Sequence, residues 1–171
     1  KINKCKTQYE YKNIDFIVST FTKKKNLIIF FHGGRSGANL PIFRGYNYSF
    51  DNSNILSFSD PNLKYYNTNI GWYLNTTQHP TTRNDIIFVI NQVKKLTSPV
   101  NIVFVAQCSG ALIALQLACM YNEHVFITNP HLILKSLDCT VYNSWTDKPT
   151  TNKYNNIEYF PLNTILDNEN E

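Results

Sequence analysis

The 171-residue chain has no uninterrupted apolar run near the roughly 20 residues a membrane-crossing helix needs, which argues against a helical span. Its first segment, Lys1 to Lys12, lacks the apolar centre of a secretory signal. Cysteine is sparse: Cys5, Cys108, Cys119 and Cys139 stand far apart with no CxxC pair, which speaks against a zinc knuckle or a dense disulfide scaffold. The expectation is a soluble protein of a reducing, cytoplasmic compartment. Charge is also low, at 16% of residues, with a formal net charge of +4. The one dense basic run, Lys23 to Lys25, is too short for the basic, aromatic-interleaved stripe that nucleic-acid binding calls for. No cluster of His, Cys and carboxylates at ligand spacing predicts a metal, and no glycine-rich phosphate loop after a strand predicts a nucleotide cofactor.

What is present is enough apolar sequence for one core: 43% hydrophobic residues, with 14% aromatics. A single domain over 1–171 is expected. The chain opens with lysine and closes in the polar stretch Asp167 to Glu171, as a product truncated at its C-terminus would. Polarity comes mostly from Asn, Thr, Ser and Tyr, which suits hydroxylated ligands and equally suits codon bias.

Apolar, β-branched runs at Ile14 to Phe21, Leu27 to Phe31, Asn54 to Phe58, Asn101 to Ala106 and Val125 to Thr128 read as strands, with a last one at Ile157 to Phe160. The second is apolar almost throughout, as in a strand buried on both faces of a parallel sheet. Ile86, Val89, Ile90 and Val93 recur at helical spacing in Thr82 to Leu96, with Lys94 and Lys95 in the last turn and Pro99 beyond it. Ser109 to Tyr121 reads as an apolar helix, and Asn62 to Pro80 as an irregular excursion of the kind that covers sites. Alternating strands and helices predict an α/β fold of three layers, α/β/α, with a mainly parallel sheet and ligands outside the carboxyl ends of its strands.

The stretch Val103-Phe104-Val105-Ala106-Gln107-Cys108-Ser109-Gly110-Ala111 turns a strand directly into a helix. Where such a turn carries a nucleophile, the residues two before and two after it must be small, because strand and helix backbones crowd there. Cys108 meets that condition with Ala106 and Gly110, whereas Ser109 would have Gln107 and Ala111. A thiol at a helix start also gains from unpaired backbone N–H groups. The alternative is a small buried hydrophobe, the common fate of free cysteine.

This segment resembles the nucleophile elbow of the α/β-hydrolase superfamily, with cysteine where the pattern has serine and with one of its two glycines. Phe30-Phe31-His32-Gly33-Gly34 resembles the segment of esterases and lipases whose N–H groups complete an oxyanion hole, which implies donors near Gly34 or Arg35 together with Ser109. Within the superfamily, Asn39-Leu40-Pro41, Ser59-Asp60-Pro61 and Gly71-Trp72-Tyr73 ahead of the elbow resemble small hydrolase-like proteins of bacterial capsule and surface-glycan clusters. That resemblance, over Leu27 to His131, implies acyl transfer or ester hydrolysis on a small acyl or glycan substrate.

A base is also needed. His131 follows a strand expected beside the elbow strand and is the first candidate; His32 is a weaker one, and a histidine beyond Glu171 is the third possibility. His124 reads as structural and His79 as a loop residue. Asn163 to Asp167 resembles the segment that supplies the late acid, which implies Asp167. Three readings follow: a cysteine-dependent acyl-transfer enzyme, a catalytically weak hydrolase-like module that binds glycan or a partner protein, and a doubly wound domain with no hydrolase site.

Overall fold

The computed structural model describes residues 7–34, 37, 39–65, 67, 69–76 and 79–132. The expected strand at Ile157 to Phe160 lies outside them. Six strands form one sheet: β1 (Thr7–Tyr11), β2 (Ile14–Val18), β3 (Asn26–Phe31), β4 (Ser53–Phe58), β5 (Asn101–Gln107) and β6 (His124–Thr128). Their order is β1-β2-β4-β3-β5-β6.

The sheet is mixed. The pairs β4–β3, β3–β5 and β5–β6 are parallel, whereas β1–β2 and β2–β4 are antiparallel. The reading of alternating strands and helices missed β1, because Thr7-Gln8-Tyr9-Glu10-Tyr11 has only tyrosines to bury. Tyr9 stacks on Phe16 at 5.5 Å between centroids and Tyr11 on Phe88 at 4.6 Å. Lys12 and Asn13, both at positive φ, form the two-residue hairpin turn whose twist suits the flanking strands. β2 stops at Val18 rather than Phe21: Ser19 still donates its N–H to Ile55 O at 2.9 Å, but its Oγ rather than its carbonyl accepts the N–H of Ile55, at 2.9 Å.

The helices are α1 (Pro61–Tyr65), α2 (Thr82–Thr97) and α3 (Ala111–Tyr121), the last entered through one 3-10 turn at Cys108–Gly110. In α2 the stripe Ile86, Val89, Ile90 and Val93 is buried, and Ser98 ends the helix in the left-handed region with its N–H on Lys94 O. In α3, Ile113, Ala114, Leu117 and Ala118 are buried. Both stripes join Leu27, Ile29, Phe31, Leu56, Phe58, Ile102 and Phe104 in one core, so α2 and α3 cover the same sheet face. Each fully buried Leu, Ile or Phe there contributes roughly 1.5 to 3 kcal/mol. On the opposite face, residues 43–48 cross β3 and β4: Tyr48 packs edge-on to Phe30, and the Ser57 hydroxyl donates to Arg44 O at 2.8 Å. Among the described residues, no helix is long and apolar enough to cross a membrane.

Candidate active site

β3 and β6 flank β5, so three parallel strands deliver His32, Cys108 and His131 to one sheet edge. β5 ends in extended backbone at Gln107 (φ −131°, ψ 139°), and Cys108 then takes φ 53° before Ala111 enters α3 at −62°, −37°. A side-chain-bearing residue in the left-handed region costs about 1 to 2 kcal/mol and is held there only by its surroundings.

Those surroundings are close backbones. A Cβ on Gly110 would come 2.7 Å from His32 O and 2.8 Å from Phe31 O, so α3 can start against β3 only with glycine here. Ala106 is buried in the core and Gln107 points out, which is the pattern of small residues that selected Cys108 over Ser109. Gly33 touches the turn directly, since a Cβ there would lie 2.8 Å from Cys108 Cβ and 3.1 Å from Gln107 O. A strained turn, a glycine pair beside it and a helix start beneath it are thus brought together.

After β6, Asn129 at φ 47° and Pro130 turn the chain back over the turn at Cys108. His131 donates its backbone N–H to Cys108 O at 3.1 Å, and its Nδ1 stands 3.4 Å from Cys108 Sγ. Gln107 and Thr128 are register partners, so both turns leave the sheet at one level. Cys108 is half-buried and unbridged. The pair has the geometry for proton exchange between thiol and imidazole.

His32 is not available for that task. Its ring is buried, its Nε2 accepts the N–H of Asp60 at 3.0 Å, and its Nδ1 faces Gly33 O, to which it donates. Burial pushes its pKa down to about 4, so the ring is neutral at pH 7. Because C=O and N–H of one trans peptide point opposite ways, fixing Gly33 O on this ring turns the Gly34 N–H away from it.

Sequence reasoning missed the network behind this. Asp60 accepts the N–H of Asn62 and of Tyr73, each at 3.0 Å; the Tyr73 hydroxyl donates to Phe58 O at 3.1 Å and accepts the N–H of His32 at 3.0 Å. Burial pushes the Asp60 carboxyl up to about 7, opposed by the two N–H groups. The signal was the left-handed pair Trp72 and Tyr73, both at φ 55° and fully buried, but φ cannot be read from residue type when the residue is aromatic. Gly34 packs on this excursion, where a Cβ would sit 2.9 Å from Ile70 Cγ1. Ser109 is buried in the middle of the 3-10 turn. His124 is exposed on β6, and His79 packs edge-on to Tyr65 at 4.3 Å. Arg35 and Asp167 lie outside the described residues. Among the described residues, no three His, Cys, Asp or Glu side chains gather as a metal site needs.

No protein-family model matches this chain, and no curated protein does. Solved structures do. The capsule O-acetyltransferase of Neisseria meningitidis serogroup A superposes with a TM-score of 0.62 at 18% identity, over 86% of this chain and 61% of that one. A histidine-to-alanine mutant of that enzyme, in complex with CoA, gives 0.61 at 16% identity, over 88% and 62%. A peroxisomal α/β-hydrolase of Saccharomyces cerevisiae matches at 0.41 and 14%, over 75% and 42%. The chain therefore spans about three fifths of the length of the capsule enzyme whose fold it shares.

Proposed function

We propose that this chain carries the catalytic elbow of a cysteine-dependent acyltransferase or esterase that acts on a glycan hydroxyl, within a single three-layer hydrolase-like domain spanning 1–171. The observation that carries the reading is the left-handed Cys108 with its sulfur 3.4 Å from His131 Nδ1. Similarity of fold to a capsule O-acetyltransferase, one form of which was solved with CoA, supports an acyl thioester as donor and a capsule-type sugar as acceptor. A reducing, cytoplasmic compartment is part of the same reading, since free thiols persist there.

In this mechanism His131 takes the Cys108 proton, and the thiolate attacks the acyl carbon. The carbonyl oxygen gathers negative charge opposite the N–H groups of Ser109 and of Gly34 or Arg35. Collapse breaks the bond to the donor, whose leaving thiolate or alkoxide receives the proton from His131, and an acyl-cysteine remains. A sugar hydroxyl, or water, then gives its proton to His131 and attacks the thioester carbon, which releases the ester, or the free acid, and regenerates the thiol. Asp167 is carried as the acid that steadies the imidazolium.

Incubation with acetyl-CoA or a short-chain aryl ester, followed by acid quench and peptide mass analysis, should find an acetyl group on the Cys108 peptide. Cys108→Ala should abolish turnover, and His131→Ala should reduce it at least about a hundredfold. An unchanged rate in His131→Ala removes that residue from the mechanism. Absence of any acyl-enzyme or turnover in the wild-type chain favours a binding module.

A further inference from the structure

β3 and β4 run in register as far as Phe31 and Phe58, and the rung after that pair is altered. Ser59 donates its N–H to Asp15 O on β2, so the carbonyl of the same peptide, Phe58 O, faces β3. In a parallel ladder the His32 N–H would meet that oxygen directly, at about 2.9 Å. Instead the Tyr73 hydroxyl stands between them, accepting from the His32 N–H at 3.0 Å and donating to Phe58 O at 3.1 Å. Two bonds in series replace one, and the ends of the two strands are held apart.

The wedge is itself tightly set. Tyr73 is buried at φ 55°, donates its N–H to Asp60 Oδ2 at 3.0 Å and packs edge-on to Phe31 at 5.2 Å between centroids. Gly71 permits that approach, since a Cβ there would collide with the Asp60 carboxyl. The His32 ring then repeats the device, its Nε2 accepting the Asp60 N–H while its Nδ1 donates to Gly33 O. On its other side the chain has no slack: Gly33 lies against Cys108, and His32 O against Gly110. Satisfying the two backbone groups does not require a tyrosine, because His32 N–H and Phe58 O could satisfy each other. What the hydroxyl adds is distance, and with it the setting of the peptides that follow.

We propose that Tyr73 is a positioning residue for acyl transfer: by holding His32 off β4 it sets the Gly33–Gly34 peptide, so that the Gly34 N–H faces the carbonyl oxygen of an acyl group joining Cys108. The inference rests on the proposed chemistry at Cys108 and adds to it the residue that aligns one oxyanion donor. Tyr73 itself touches no substrate and moves no proton.

Two reactions of Cys108 in the full chain separate this role from a merely structural one. Attack on p-nitrophenyl acetate builds charge on an oxygen and calls on the donor, whereas attack on iodoacetamide displaces iodide from a saturated carbon and does not. In Tyr73→Phe, kcat for the ester should fall at least about tenfold, since misplacement by about 1 Å can cost a hundredfold, with KM and the rate of Cys108 alkylation each within about twofold of wild type. His32→Leu should show the same selective loss, and His32→Gln, whose amide can accept from Asp60 and donate to Gly33, should recover part of it. An unchanged kcat in Tyr73→Phe, or equal losses in both reactions, would overturn the proposal. Should Tyr73→Phe fail to fold by circular dichroism, the two His32 variants decide by the same comparison. The residual dipolar coupling of the Gly34 N–H, measured in Cys108→Ala with and without Tyr73→Phe, reads the orientation of that peptide without turnover. A changed coupling beside an inactive wild type would overturn the chemistry at Cys108 and leave Tyr73 as the residue that sets the peptide. An unchanged coupling would overturn the proposal whether or not the wild type is active.

Discussion

Cys108 combines a reactive atom with an unfavourable backbone, and the two can be separated by mutation. Glycine has no penalty at φ 53°, so Cys108→Gly should hold or raise the unfolding free energy, by up to about 1 kcal/mol in urea titration, while removing all activity. A clear loss of stability would show that the turn is unstrained. Alkylation offers a second contrast, because Cys119, on the apolar helix α3 as expected, is exposed, whereas Cys108 is half-buried. Access alone would favour Cys119. Faster modification of Cys108 by iodoacetamide, lost in His131→Ala, is the outcome expected of a thiol deprotonated by its neighbour. Slower modification of Cys108 would argue against activation.

Between elements, the site is held by backbones that touch and by a buried polar network at the ends of β3 and β4. Gly110→Ala should cost about 1 to 3 kcal/mol, since the atoms it meets are the carbonyls of Phe31 and His32 and cannot step aside. The network predicts an unusual pH response. His32, lowered from 6.5 to about 4, contributes stability that is present above pH 6.5 and lost as pH falls through 4. Asp60, raised from 3.8 to about 7, contributes stability that is present below pH 3.8 and lost as pH rises through 7. Between pH 4 and 6.5 the two slopes oppose, each on the order of 3 to 4 kcal/mol over its full window. Denaturation across that range should be nearly flat in the wild type, rise with pH in Asp60→Asn and fall with pH in His32→Gln. Parallel curves for all three proteins would dismiss both shifts. Much of this level was legible in the sequence. Periodicity located α2, α3 and the four parallel strands, and the crowding rule selected Cys108. The polar network was not, because Asp60, Tyr73 and His32 meet only after β3, β4 and the excursion are assembled.

At the scale of the whole molecule, what the sequence did not reveal was handedness and direction. Nothing in Ile14 to Val18 distinguishes an antiparallel β2 from a parallel one, since its five residues are buried whichever way it runs. The closeness of Cys108 and His131 was legible because a βαβ unit constrains it: two neighbouring parallel strands end level, so the residues just past them come together. That same economy has a mechanical cost. His131 hangs from β6 beyond the left-handed Asn129, and the side chains of β6 alternate between exposed and half-buried, while Cys108 is anchored in a strand with neighbours on both sides. The proposed nucleophile and base therefore belong to regions of unequal cohesion, and breathing of β6 parts them without disturbing the centre of the sheet. Turnover by the proposed mechanism should accordingly fail at lower urea than far-ultraviolet dichroism, with slowed Cys108 alkylation tracking turnover rather than dichroism, so that the proposed site goes silent while most of the fold persists.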